Sequence, residues 1–118
     1  MTLLVVSAGA QTAILECAGS SEKGGRITLT FRTAIVAQME VAHATLLVHL
    51  RQAAPAPKRV KVNGRAAAAA KLEQGWISVA VPGNEALKPL VVEGALFDGP
   101  AAPGFAPYLA VEGARRKE

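Results

Sequence analysis

The sequence predicts an all-β fold and, within that class, a single antiparallel β-sandwich. Residues 26–33 alternate between large apolar side chains and Thr or Arg, the pattern of a strand with one buried face. Asn63-Gly64 stands between two strand-like runs and is a strong hairpin signal, because both residues tolerate a positive φ. About seven to ten short runs of this kind, separated by turn residues, favour a sandwich.

The other elements are predicted by the same reasoning. The Gly- and Ser-rich residues 19–25 predict a loop, and the two prolines within residues 53–57 predict a short stiff connection. Apolar or alternating runs bounded by turn residues predict strands at residues 2–7, 58–62, 65–74, 76–81 and 90–96, with an edge strand at residues 108–111.

Residues 34–52 allow two interpretations. As two strands, Met39 and Val41 share one face, but the alternation then changes phase before Leu46 and Val48, which indicates a bend or bulge near residues 42–44. As one helix, the segment has an apolar stripe, and the fold class becomes α+β. We expect the two strands, with the helix as the alternative.

The composition is that of a single domain spanning residues 1–118, with a Gly/Pro/Ala-rich arm at about residues 98–107. Hydrophobic residues make up 51% of the chain and charged residues 19%, which excludes a disordered protein. No apolar stretch is long enough for a transmembrane helix, so we expect no membrane partner. The single cysteine forms no intrachain disulfide, and residues 2–7 follow no basic segment, so we expect no signal peptide. A cytoplasmic or particle-associated location fits best, although localisation stays open.

Positive charge is concentrated in one segment. The net charge is +4, yet residues 51–71 alone contain six basic and no acidic residues. Such a segment attracts a polyanion or an acidic protein surface, or it is simply a solvated face. Nucleic acid is a poor match, because no aromatic residue lies within the segment. The candidate binding residues are Arg51, Lys58, Arg59, Lys61 and Arg65.

Catalytic and metal-binding patterns are missing from the sequence. No nucleophile, zinc or phosphate-loop motif occurs, and we therefore predict no enzymatic activity and no cofactor. On a strand, His43 and His49 would lie about 20 Å apart, too far to share a metal ion. Cys17 lies in an apolar pattern and is expected to be a buried, unreactive thiol.

Several strand-like segments are apolar on both faces. Such strands need a second covering layer, which we expect from the arm, from another subunit, or from both. We therefore predict a homo-oligomer or packing within a larger assembly. The candidate interface residues, which are also the candidates for stacking on a sugar, are Trp76, Phe97, Phe105 and Tyr108.

One part of the chain resembles a known family. Residues 44–51, a Pro-containing connection, the hairpin of residues 58–64 and the strand of residues 75–83 are similar to the C-terminal accessory β-sandwich domains of glycoside hydrolases and polysaccharide lyases. The resemblance covers residues 44–96 and implies a non-catalytic module accessory to carbohydrate-active machinery. We therefore expect an interaction or assembly module. The alternatives are a structural or decoration protein of a viral capsid or other large particle, and a carbohydrate-binding module.

Overall fold

A computed structural model describes residues 11–36, 39–51, 59–94, 97–99, 101 and 104–115. In these ranges the chain forms a closed barrel of eight antiparallel strands, in the order β1-β2-β7-β4-β5-β6-β3-β8. The predicted strand at residues 2–7 and the connection at residues 53–57 lie outside the described residues. The strands are β1 Gln11–Lys23, β2 Arg26–Phe31, β3 Met39–His49, β4 Arg59–Val62, β5 Arg65–Lys71, β6 Trp76–Pro82, β7 Leu90–Glu93 and β8 Tyr108–Arg115.

The all-β class is confirmed, but the strands close into a barrel rather than forming the predicted sandwich. Two strands that change partners along their length explain the closure. β1 pairs with β8 through Gln11 to Glu16 and with β2 from Cys17 onward, with a register shift between Cys17 and Gly19. β5 likewise pairs first with β4 and then with β6. Strands shared between two sheets leave those sheets without open edges.

The barrel interior follows the alternation of the sequence. In β2 the odd-numbered side chains are buried, as predicted. In β6 the side chains alternate, and Ile77, Val79 and Val81 are the inward set. Among the described residues no charged or polar side chain is buried. The interior is therefore held together by apolar packing. Its most fully enclosed side chains include Leu15, Leu29, Leu46, Val48, Ile77, Val79, Leu90, Val92, Leu109 and Val111.

Three sequence predictions need correction. Residues 34–52 form neither two strands nor a helix in their described part: β3 is one strand with a register shift between Val41 and His43, preceded by a 3-10 turn at Ala34–Val36. The predicted loop at residues 19–25 continues β1 to Lys23, because its backbone pairs with β2 while its small polar side chains stay exposed. β8 is not an edge strand, since it pairs with both β1 and β3.

The Asn63-Gly64 hairpin is confirmed and also connects separate strands. Asn63 and Gly64 have φ angles of 52° and 83°, as a two-residue turn of this type requires. The Asn63 side-chain oxygen accepts a hydrogen bond from Val91 N at 2.8 Å, and its amide nitrogen donates one to Glu85 at 2.7 Å. The turn thereby ties the β4–β5 hairpin to β7.

Helical structure in the described ranges is limited to three single 3-10 turns, Ala34–Val36, Glu73–Gly75 and Gly83–Glu85. None of the described helical segments has the length and apolar character needed to cross a membrane.

Candidate functional site

On one side of the barrel, the outward face formed by the described residues carries no Asp, Glu, Lys or Arg side chain between its borders. We call this surface the neutral wall; it consists of the outward residues of five adjacent strands, β1, β8, β3, β6 and β5. Strand register aligns them in rows, for example Ile14, Ala110, Thr45 and Ala80. The complete set is Ile14, Thr45, Leu47, His49, Ala70, Trp76, Ser78, Ala80, Tyr108 and Ala110. Glu16, Glu112 and His43 lie at its borders.

Large apolar groups lie on and beside the neutral wall. Ile14 is 59% exposed and Phe105, from the arm, is 43% exposed. Next to them a groove of about 440 Å³ is lined by Ile14, Glu16, Cys17, Ala106, Pro107 and Tyr108. Leu47 points outward between Tyr108 and Ser78, yet it is only 9% exposed. Leu47 is thus shielded from water, whereas Ile14, Ala70 and Ala80 are the exposed residues of the wall.

Aromatic rings and one ion pair form a cluster at the end of the neutral wall, which we call the His49 clasp. His49 Nδ1 lies 2.8 Å from Asp98 Oδ2, and His49 Nε2 lies 3.0 Å from the backbone oxygen of Gln74. The Phe105 ring lies over the imidazole with centroids 4.2 Å apart, and Trp76 meets it edge-on at 5.4 Å. The Tyr108 ring packs on Trp76 at 5.7 Å.

The backbone fixes the clasp from two sides. Asp98 N donates a hydrogen bond to the His49 carbonyl at 2.9 Å, which places the Asp98 carboxylate beside the imidazole. Leu50 N donates to the Gly75 carbonyl at 2.8 Å, which brings the turn Glu73–Gly75 against the same ring. A Cβ at Gly75 would lie 2.9 Å from His49 Nε2, so this close approach requires glycine.

Of the four predicted aromatic site residues, the structure brings Trp76, Phe105 and Tyr108 together in the clasp. Phe97 lies apart from them: it is fully buried and forms an isolated β-bridge with Leu50. Its carbonyl accepts a hydrogen bond from Arg51 Nη2 at 2.9 Å. Phe97 thus anchors the start of the arm in the core, while Phe105 remains at the surface.

The predicted basic residues do not form one patch. Arg51 is bound to Glu22 at 3.2 Å and to Phe97 near the clasp. Arg59 and Lys61 are exposed on β4, Arg65 begins β5, and Lys58 lies outside the described residues. Arg59 and Lys61 line a groove of about 470 Å³ together with Val60, Ala66, Glu93 and Gly94. The Glu93 carboxylate, which pairs with Arg26 at 3.3 Å, partly neutralises that groove.

The Cys17 thiol and the His49 imidazole are both engaged with oxygen atoms of the protein. Burial raises the pKa of the Cys17 thiol, an effect that hydrogen bonding to the Gly19 and Thr30 backbone only partly offsets, so little reactive thiolate forms at neutral pH. Within the described ranges no three His, Cys, Asp or Glu side chains are close enough to hold a metal ion.

Sequence reasoning missed the clasp. His49 and Asp98 are 49 positions apart, and Gln74 takes part only through its backbone, so no local motif marks the contact. Two features of the sequence did point to this region: residues 46–50 lack a polar face, and the arm contains aromatic residues. Comparison with protein-family models, with curated proteins and with solved structures finds no match to the chain.

Proposed function

We propose that this protein is a non-catalytic assembly module that self-associates through its neutral wall. The observation that carries the proposal is the composition of that wall: among the described residues, five adjacent strands present no Asp, Glu, Lys or Arg side chain between the borders at Glu16 and Glu112. Soluble monomers rarely leave a large contiguous apolar surface in contact with water. A second copy of the chain is the occupant that we infer.

The neutral wall supplies the centre of a contact rather than all of it. With strands ~4.8 Å apart and outward residues of one strand ~6.7 Å apart, its ten residues cover about 320 Å² in projection. Interfaces of standard size bury ~800 Å² of accessible surface per partner. The proposed contact therefore also includes Phe105 of the arm, which is 43% exposed, and the border residues.

Charge also favours a second copy on this wall. The chain carries a net charge of +4, so two copies repel each other over most relative orientations. Facing neutral walls bring no Lys, Arg, Asp or Glu side chains together except at the borders, and the Asp98 carboxylate offsets the charge of a protonated His49. A closed barrel also offers no open strand edge, which supports face-to-face packing over edge-to-edge pairing.

Sedimentation velocity tests the proposal with one variant on each side of the barrel. We expect the wild-type protein to be dimeric or larger at tens of micromolar, and Ile14→Glu to be monomeric because it buries a charge in the contact. Thr30→Glu is the matched control, since Thr30 is also exposed, but on β2 outside the wall. A monomeric wild-type protein, or equal behaviour of the two variants, would overturn the proposal.

Carbohydrate binding is a second candidate function, favoured by the convergence of Trp76, Phe105 and Tyr108 beside the Asp98 carboxylate. Aromatic rings next to a carboxylate offer both stacking and hydrogen bonding to a sugar ring. A glycan array gives the test. Signal that is lost in Phe105→Ala supports this function, whereas an array without signal refutes it.

A further inference from the structure

Both ring nitrogens of His49 face oxygen atoms, at 2.8 Å from Asp98 Oδ2 and 3.0 Å from the Gln74 carbonyl. The Gln74 carbonyl can only accept a hydrogen bond, and an ionised Asp98 carboxylate can likewise only accept. Both contacts are hydrogen bonds at once only when each ring nitrogen carries a hydrogen. The clasp is complete only when His49 is an imidazolium cation, which also suits its position beside Phe105 and Trp76.

Charged groups on the surrounding elements leave Asp98 as the anion for this cation. Arg51, two residues further along the chain, is engaged with Glu22 of β1 and with the Phe97 carbonyl. The titratable groups on the other packed elements are Lys71 at the end of β5, Glu73 in the adjoining turn and Tyr108 on β8. Among the described side chains, only Asp98 is hydrogen-bonded to the imidazole.

We propose that the His49 clasp is a proton-dependent latch, closed when the imidazole is protonated, which holds Phe105 of the arm on the neutral wall. Its effect on self-association rests on the proposed function. With the latch closed, Phe105 is ordered in advance for the contact, which lowers the entropic cost of association. Self-association is therefore tighter at mildly acidic pH than at alkaline pH.

Loss of the proton weakens the latch through the Gln74 contact. A neutral imidazole that keeps its Nδ1 hydrogen for Asp98 directs its Nε2 lone pair at the Gln74 carbonyl, and two acceptors at 3.0 Å repel. Gln74 has a φ of 58°, which is unfavourable for a residue other than glycine, so relaxation of the turn lowers its backbone strain. The stacking of Phe105 on a cation is lost in the same step.

Nuclear magnetic resonance tests the latch independently of self-association. Imidazole changes its charge between pH 5 and 8, so spectra are compared at about pH 5.5 and pH 8.5. At the lower pH we expect ¹⁵N shifts of two protonated nitrogens in His49 and nuclear Overhauser contacts between its ring and Phe105. At the higher pH those contacts weaken. Contacts of equal strength at both pH values, or His49 neutral at the lower pH, would overturn the latch.

Sedimentation at the same two pH values tests the coupling. We expect association to be weaker at the higher pH, because association that favours the protonated imidazole is linked to proton uptake. His49→Gln should remove this difference, whereas His43→Gln, at an exposed position on the same strand, should preserve it. Association that is equally strong at both pH values refutes the coupling and leaves the proposed function standing. A protein that is monomeric throughout refutes the proposed function and the coupling, while the magnetic resonance result still decides the latch.

Discussion

The two sides of this barrel share one interior but have different exteriors. The outward residues of β2, β7 and β4, together with the last residue of β1, include a row of four charged side chains, Lys23, Arg26, Glu93 and Lys61, which we call the charged wall. Across the barrel the neutral wall presents Ala, Ser, Thr and aromatic residues. Inward-pointing residues are constrained by packing in both halves, so they carry no information about function. The outward residues differ between the two sides, and the proposed self-association rests on that difference.

The largest expected effect distinguishes two glycines that lie next to β-bulges, one in each half. Gly113 faces the bulge of β3, where an added Cβ would overlap the Glu40 carbonyl oxygen. Gly19 lies at the bulge of β1 with open space around it. We expect Gly113→Ala to lower the free energy of unfolding by about 3 kcal/mol or more. Gly19→Ala should change it by less than about 1 kcal/mol. Urea denaturation measures both losses. Equal losses would contradict the conclusion that, of these two glycines, only Gly113 lies too close to a neighbouring backbone atom to accept a Cβ.

A smaller effect is expected at the turn that ties β4 to β7 in the charged half. Asn63→Gly keeps the positive φ but removes the side-chain bonds to Val91 and Glu85. We expect a loss of about 1–2 kcal/mol in urea denaturation, with the Val91 amide exchanging its hydrogen faster. Glu85→Gln is the milder comparison, because the Asn63–Val91 bond survives. A stability of Asn63→Gly equal to that of the wild type would show that only the turn conformation matters.

Local patterns predicted the interior well and the closure of the barrel poorly. The alternation in β2 and β6 and the Asn63-Gly64 turn depend on residues that are adjacent in sequence, so the sequence alone indicated them. Barrel closure depends on β1 and β5 exchanging partners, which is set by pairings between distant strands. The loop prediction for residues 19–25 was wrong for a related reason, since backbone pairing with β2 outweighs the loop propensity of Gly and Ser.

The candidate site was predictable to a similar degree. The lack of a polar face on residues 46–50 and the aromatic residues of the arm predicted a covering layer. Leu47 is only 9% exposed although it points outward, but which group would cover the rest of the wall stays a prediction. The basic segment suggested one patch, but β4 places Arg59 and Lys61 beside Glu93 of β7, an acid that is distant in sequence. A net charge counted along the chain does not include such neighbours from other strands.

The smallest expected effect concerns binding of a polyanion to the charged wall. Glu93 lies between Arg26 and Lys61 in the row, so its carboxylate offsets the attraction of both for an anion. We expect retention on a heparin column to be modest, to fall as salt rises, and to increase in Glu93→Gln. Arg59→Glu should decrease it.

The matched control for this last prediction is Glu112→Gln, which raises the net charge by the same amount at the border of the neutral wall. If the charged wall is the binding surface, Glu93→Gln should strengthen heparin binding about two- to fivefold while Glu112→Gln leaves it nearly unchanged, because charges more than ~10 Å from the bound anion are largely screened. Equal effects of the two substitutions would mean that net charge alone governs retention. The basic residues of β4 would then be a solvated face, and the neutral wall would be the remaining candidate for specific contact.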